Sequence, residues 1–371
     1  MFTFLIQRLS SIKITVVCLF LLFILTFWGT VAQVGQGLYY SQERFFNSLI
    51  FWVWGWLPFP GARLVLWVLF INLLCVTATR FRHYKPSTHL GILIIHFGLL
   101  LYFVAAFATF YGVKETQLTL MEGSGANTSW AYHDWELSVW TQDGEKRQVV
   151  GIDTKKFAPG GILTLNEFGL TVLVKDFYSN SHAYKTQDEM TNQVKNDSGI
   201  QAIKEAPRQI EPEKNFPGGI FKVKQQKTDF GDVLLFGGES TPTQIEAGSK
   251  KYFFQLRRKR LPLPFVLKLK DFKMELHPNT QIARSYQSLV EIQNNDVSRE
   301  VLISMNKPLR YKDFTFYQAS YAIDGLGREL STLAVVKNSM RILPYIASLL
   351  TFAGMALHFI SRAFQSKRQP K

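Results

Sequence analysis

Thiols are nearly absent from this sequence: of its 371 residues 2 are cysteine, Cys18 and Cys75. Each lies inside an apolar run, where cysteine behaves as a small hydrophobe. No cysteine falls between residues 112 and 340, so that region folds without a disulfide. Neither C-x-x-C nor C-x-x-C-H occurs, which excludes thioredoxin-like thiol exchange and covalently attached haem on this chain. The hydrolase elbow G-x-S-x-G, the zinc-protease H-E-x-x-H, the P-loop and a strand-following G-x-G-x-x-G are missing as well. No catalytic residue is assigned. Acidic residues are scarce outside the middle of the chain, where 27 of the 28 Asp and Glu lie.

That last scarcity decides how the formal charge of +14 is read. Residues 112–340 hold 30 Lys/Arg against 27 Asp/Glu, a net +3, so the large middle region is no nucleic-acid binder. The other +11 flanks four apolar runs at about 14–32, 64–79, 90–111 and 342–360. Each is close to the roughly 17–25 residues a helix needs to cross a bilayer. Arg8 and Lys13 stand before the first run. Arg80, Arg82 and Lys85 lie between the second and third, and Arg362, Lys367, Arg368 and Lys371 follow the fourth. If the helices alternate, all three groups share one side, the positive-inside pattern. The expectation is three transmembrane helices in 1–111 (about 14–32, 62–79 and 90–111), with a fourth helix and a basic cytoplasmic tail in 341–371. Both termini are then cytoplasmic and the middle region is extracytoplasmic. The first run lacks a small-x-small cleavage site and leads straight into more membrane sequence, so it reads as retained.

Residues 112–340 alternate apolar and polar positions in short runs such as "GILTLNEFGLTVLVKDF", "PFVLKLKDFKMEL" and "FTFYQASYA". Period two with aromatic and β-branched residues predicts an all-β domain, sandwich-like or barrel-like, with a polar excursion at about 184–219. "VKDFYSNSH" (174–182) and "LKDFKMELH" (269–277) echo one another, and His182 and His277 at their ends read as exposed loop-edge residues. "RRKR" (257–260) reads as a solvated, charged edge strand.

One residue interrupts the oil. In "HLGILIIHFGLLLYFVAAF" (89–107), His96 lies about 9 Å along a helix that begins at Leu90, inside a hydrocarbon layer about 30 Å thick. Two readings stand: a ligand of a bound group, or a packing residue hydrogen-bonded to a neighbouring helix, with Asn72 and Thr77 as acceptors. His89 is two turns earlier on nearly the same face. His358 sits near the inner end of the fourth run, as a second ligand or a snorkelling side chain. An iron porphyrin suits this chemistry, being flat, apolar and commonly ligated by imidazole. "FWVWGWLPF" (51–59) is either an aromatic wall for such a group or an interfacial Trp belt.

Specific stretches make the sequence familiar. "GTVAQ" (29–33), with Ala32 where proline is frequent, "NLL" (72–74), "IHFGLLLYFVAAFATFYGVKETQLTLMEG" (95–123) and "ISMNKPLRYKDFTFYQASY" (303–321) resemble the ResB family, called CcsB in some bacteria, of the type II cytochrome c biogenesis system. The resemblance implies a subunit of a membrane haem-delivery and attachment complex for c-type cytochrome maturation, a non-catalytic or co-catalytic part of a holocytochrome c synthase (haem lyase). It implies a CcsA/ResC-type Trp-rich multispan partner, an apocytochrome c, and a thioredoxin-like thiol reductase. The cofactor is haem b, held transiently and shared with the partner, with His96 as axial ligand to the haem iron and His358 and His89 behind it. The partner's W-G-x-x-W-x-W-D motif is absent, so this chain reads as half of the machine. The implied location is the bacterial inner membrane with the large domain periplasmic. Two alternatives remain: a membrane-anchored β-domain scaffold binding a polypeptide, and a b-type cytochrome electron-transfer subunit.

Overall fold

The computed structural model describes residues 2–82, 86–144, 146–185, 194–226, 228–247, 250–280, 283–294 and 297–367. Its helices are α1 (Phe2–Leu9), α2 (Ile12–Gln36), the single turn α3 (Leu38–Ser41), α4 (Ala62–Arg82), α5 (Pro86–Gly112) and α6 (Leu343–Lys367). Ser11 starts α2, its hydroxyl accepting from the Lys13 amide at 3.3 Å, which gives one orphan first-turn donor a partner. Gly37, at φ 79°, stops the same helix by donating to the Gln33 carbonyl, in a backbone conformation a Cβ would strain.

Four stretches, Ile12–Gln36, Ala62–Thr79, Leu90–Gly112 and Leu343–Phe364, are long and apolar enough to cross a membrane, and only 11–28% of each is buried. The remaining Val, Leu and Phe surface would cost roughly 25 cal/mol per Å² in water but nothing in hydrocarbon, where a helix satisfies its own backbone.

Between α3 and α4 the chain makes a π-helical turn at 42–47 and a hairpin, β1 (Ile50–Val53) and β2 (Leu57–Pro60). The aromatic-rich "FWVWGWLPF" is therefore a hairpin outside the spans, because Trp54 and Gly55 take φ of 53° and 80° and reverse the chain. Trp28 of α2 packs among Phe45, Phe51 and Phe59 at ring distances of 5.4–5.8 Å. The next residue, Gly29, lies so near Phe46 that an added Cβ would stand 2.8 Å from its ring.

Helices 1–114 and 337–371 form one unit, and residues 115–336 form a second. The β region runs β3 (Lys114–Met121), β4 (Gly125–Asp143), β5 (Lys146–Asp153), β6 (Ile162–Leu165), β7 (Leu170–Tyr178), β8 (Ser181–Tyr184), β9 (Val194–Lys195), β10 (Ala202–Glu205) and β11 (Gly218–Gln225). It continues as β12 (Thr228–Phe236), β13 (Thr243–Ala247), β14 (Lys250–Leu276), β15 (Ala283–Asn294), β16 (Val297–Ser304), β17 (Leu309–Tyr311), β18 (Phe314–Ile323) and β19 (Glu329–Lys337). Within the 184–219 excursion, β10 pairs with β8 and β9 runs parallel to β12; residues 186–193 lie outside the described residues.

The expected sandwich and the expected barrel are both present, end to end on shared strands. A sheet ordered β6-β7-β11-β12-β9 faces the second half of β4 and the first half of β14 over a core of Val172, Val174, Phe221, Val223, Leu137, Phe254 and Leu256. The longer sheet, β16-β15-β14-β4-β3-β19-β18-β17, curls on itself around Leu118, Leu267, Val290, Phe316 and Val335. Its curl brings Ser288 of β15 to Gln318 of β18 (2.7 Å) and Ser331 of β19 (2.8 Å). These three buried side chains satisfy one another, as a dry interior requires.

Two sequence features acquire a cause. In both K-D-F echoes the lysine sits at a break in strand register: Lys175 is passed over between β7 and β11, and Lys270 between β14 and β15. The repeat marks two β-bulges, each re-aiming a lysine toward an acid, Asp232 at 2.6 Å and Glu291 at 3.5 Å. "RRKR" lies on β14 where that strand pairs with β4 on one side only, β13 leaving it at Phe254 and β15 joining it from Val266. The stretch is at a sheet edge as expected, with two of its cations paired to acids. Arg257 bonds Glu136 (3.0 Å) and Lys259 bonds Asp153 (2.7 Å).

Candidate functional site

His96 is half-buried on α5, with Nδ1 2.7 Å from the Ile92 carbonyl one turn earlier. A carbonyl only accepts, so Nδ1 carries the proton and Nε2 carries the lone pair of the neutral ring. A backbone carbonyl on one nitrogen is the usual way a metal-binding imidazole has its tautomer and ring orientation fixed. The residues expected as its packing partners are engaged elsewhere. Asn72, 2% exposed, accepts from Thr15 Oγ1 (2.7 Å) and donates to the Leu9 and Ser11 carbonyls at 2.5 and 3.1 Å. It thereby ties the α1–α2 corner to α4. Thr77 Oγ1 donates to the Leu73 carbonyl of its own helix at 2.8 Å.

The three candidate histidines are not gathered at one point. α5 and α6 pack backbone to backbone. A Cβ on Gly91 would stand 2.6 Å from the His358 amide, one on Gly98 2.8 Å from the Thr351 amide, and one on Gly354 2.7 Å from the Ile95 amide. His358 therefore lies on the seam face of α6. At 3.6 residues per turn His96 is rotated about 150° from the Gly91–Gly98 line. That direction is the stripe of Phe103, tilted against Phe70 (5.8 Å), and Phe107, stacked on Trp67 (3.9 Å), both partners on α4. His96 thus faces the α4–α5 groove while His358 faces the α5–α6 seam. His89 falls in the first turn of α5, and its side chain is outside the described residues.

The same groove opens farther along into a cavity of about 420 Å³, lined by Arg63, Leu66, Phe103, Ala106, Phe107 and Phe110 among others. Sequence reasoning passed over Arg63. Its signal was a lone cation two residues after the glycine that precedes an apolar run.

In the β unit the polar focus lies where β4 bulges between Trp130 and Trp135 against Arg258–Arg260. Arg258 donates to the Tyr132 and Glu213 carbonyls (2.7 and 2.8 Å) and covers the Trp135 ring at 4.1 Å. His133 Nδ1 is 3.7 Å from Glu213. Burial holds the His133 pKa below the ordinary imidazole value, helped by the Arg258 charge and opposed by Glu213, so it is neutral at pH 7. Burial also raises the Tyr132 hydroxyl pKa, with Glu115 and Glu213 adding to it. The arrangement clamps an irregular strand and offers no nucleophile. His182 and His277 are exposed, as expected.

Comparison with known proteins adds the family. Residues 218–362 match the ResB-like family. The chain is 31% identical over 97 residues to Protein NrfI of Wolinella succinogenes, covering 26% of this chain and 10% of that protein. It is 39% identical over 61 residues to the cytochrome c biogenesis protein Ccs1 of Heterosigma akashiwo, 16% of this chain and 14% of that one. It is 27% identical over 115 residues to the cytochrome c biogenesis protein CcsB of Microcystis aeruginosa, 30% of this chain and 24% of that one. Each similarity spans under a quarter of the relative's length. The family match includes His358 and leaves out His96. The match to the ResB-like family runs from β11 through most of α6, and it supports the resemblance read from the sequence there.

Proposed function

We propose that this chain is a haem-handling subunit of c-type cytochrome maturation, lending His96 Nε2 to the iron of a haem in transit. A CcsA/ResC-type Trp-rich multispan protein supplies the rest of the coordination. The similarity to proteins named for cytochrome c biogenesis supports the pathway. The observation that carries the residue is the Nδ1–Ile92 bond, which leaves Nε2 as the basic nitrogen on the groove face of α5. Haem is cargo here, so one imidazole with a shared second ligand suits hand-over better than a closed two-histidine site. His358, turned to the α5–α6 seam, fits helix packing better than a second bond to the same iron. In a bacterial inner membrane the charge pattern gives cytoplasmic termini and a periplasmic β unit. That β unit carries no cysteine, so reduced apocytochrome thiols come from elsewhere, through a thioredoxin-like reductase.

The test is co-expression with such a partner and an apocytochrome c. His96→Ala should remove most of the haem absorbance of the purified pair and stop holocytochrome formation, and added imidazole should restore both. Unchanged absorbance and assembly in His96→Ala would refute the assignment.

A further inference from the structure

The outer part of the α4–α5 groove is built for a different kind of molecule. Arg63 lies on the first turn of α4, its guanidinium carbon 5.6 Å from the Phe110 ring centre. Its Nε is buried and has no hydrogen-bond partner among the described residues. Long cations at a membrane boundary normally swing their heads into water, and a buried N–H without an acceptor is a standing cost. The cavity beside it, about 420 Å³, is otherwise walled almost entirely by hydrocarbon and aromatic rings. One strong donor at the rim of an apolar slot calls for an acceptor with a long apolar tail.

The depth of the site identifies the class. The β1–β2 hairpin immediately before α4 exposes Trp52, Trp54 and Trp56 by 59, 79 and 67%. Such amphipathic rings gather at the level of lipid headgroups. Arg63 follows that hairpin by three residues. From Phe110 to Phe103 the wall then descends about 10 Å along α5 toward the hydrocarbon. We propose that this cavity holds one phospholipid, its phosphate on the Arg63 guanidinium and one acyl chain along Leu66, Phe107 and Phe103. Arginine suits the phosphate because its fork presents several donors to one oxyanion. The site lies about 15 Å along α5 from His96, measured to Ala106, and stands or falls apart from the haem reading.

The full chain, extracted in mild detergent with its native lipids, is examined by native mass spectrometry. Wild type should retain one phospholipid under activation that strips the rest. Arg63→Gln, which removes the donor, and Ala106→Trp, which fills the slot, should each lower that occupancy at least tenfold, while Arg63→Lys keeps part of it. Helical circular dichroism equal to wild type qualifies each variant; should Ala106→Trp fail to fold, Arg63→Gln decides. Absence of a retained lipid in wild type, or equal retention in Arg63→Gln, overturns the proposal. If instead Arg63→Gln leaves lipid retention intact and lowers haem absorbance of the partnered chain, the acceptor is a porphyrin carboxylate and the lipid assignment is wrong.

Discussion

Arg257 and Glu136 are 16% and 9% exposed and meet at 3.0 Å between β14 and β4. At that burial the pair gains little over an apolar substitute, but removing one member leaves an uncompensated charge in a low dielectric. Arg257→Met alone should destabilise the β unit by about 3–5 kcal/mol, whereas Arg257→Met with Glu136→Leu should recover most of the loss. Denaturant melts of the two variants followed by Trp fluorescence check this; equal stability of the single variant and wild type would mean the pair is solvated after all. The same residues mark a limit of reading sequence. "RRKR" announces four cations but not their partners, and the acids that Arg257 and Lys259 meet lie more than a hundred residues away in the chain. Some motif residues had a legible identity and an illegible reason. Gly29 of "GTVAQ" is there because Phe46 leaves no room for a Cβ, and Asn72 of "NLL" because three backbone and hydroxyl groups of the α1–α2 corner converge on it. His96 was conspicuous because an imidazole in oil needs partners; that its own Ile92 carbonyl is one of them depends on rotamer, which no pattern encodes.

Among the elements, length and hydropathy were enough to find the four apolar helices, since a helix in hydrocarbon needs little more than continuity. Period-two alternation found the strands, because each strand has one face on a core, as in Leu170, Val172 and Val174 of β7. Helix contacts were harder to see. The α5–α6 seam rests on Gly91, Gly98 and Gly354, small residues at helical spacing that let two backbones touch. Gly354→Leu should push the helices apart and cost about 1–3 kcal/mol, read as a lowered denaturation midpoint of the full chain in detergent. Gly35→Leu is the control: an added Cβ there meets nothing within 4 Å, so its effect should stay within about 0.5 kcal/mol. Equal effects of the two would mean that glycine helicity, rather than the seam, sets stability. The hairpin at 50–60 was not legible in composition, which allows an aromatic wall or an interfacial belt alike, because its Trp54–Gly55 turn depends on positive φ.

At the scale of the whole molecule the division into units carries its own consequence. Every residue of the two β cores lies between 115 and 336. The strands by which the chain enters and leaves, β3 and β19, are neighbours, joined by Thr116 Oγ1 to the Val335 carbonyl (3.3 Å) and by Thr119 to Thr332 (2.9 Å). A unit whose ends are adjacent and whose cores are internal needs nothing covalent from the helices to close. Residues 115–336 expressed alone should therefore give a soluble, cysteine-free protein with β-type far-UV circular dichroism, fixed near-UV aromatic signals and a cooperative melt. Because β4 and β14 run through both cores, sandwich and barrel should melt in one transition rather than two. An aggregated product, or two separated transitions with Trp140 and Phe316 probes disagreeing, would show that the shared strands do not couple the halves. If the single transition is found, the β unit is a rigid body that the membrane helices display.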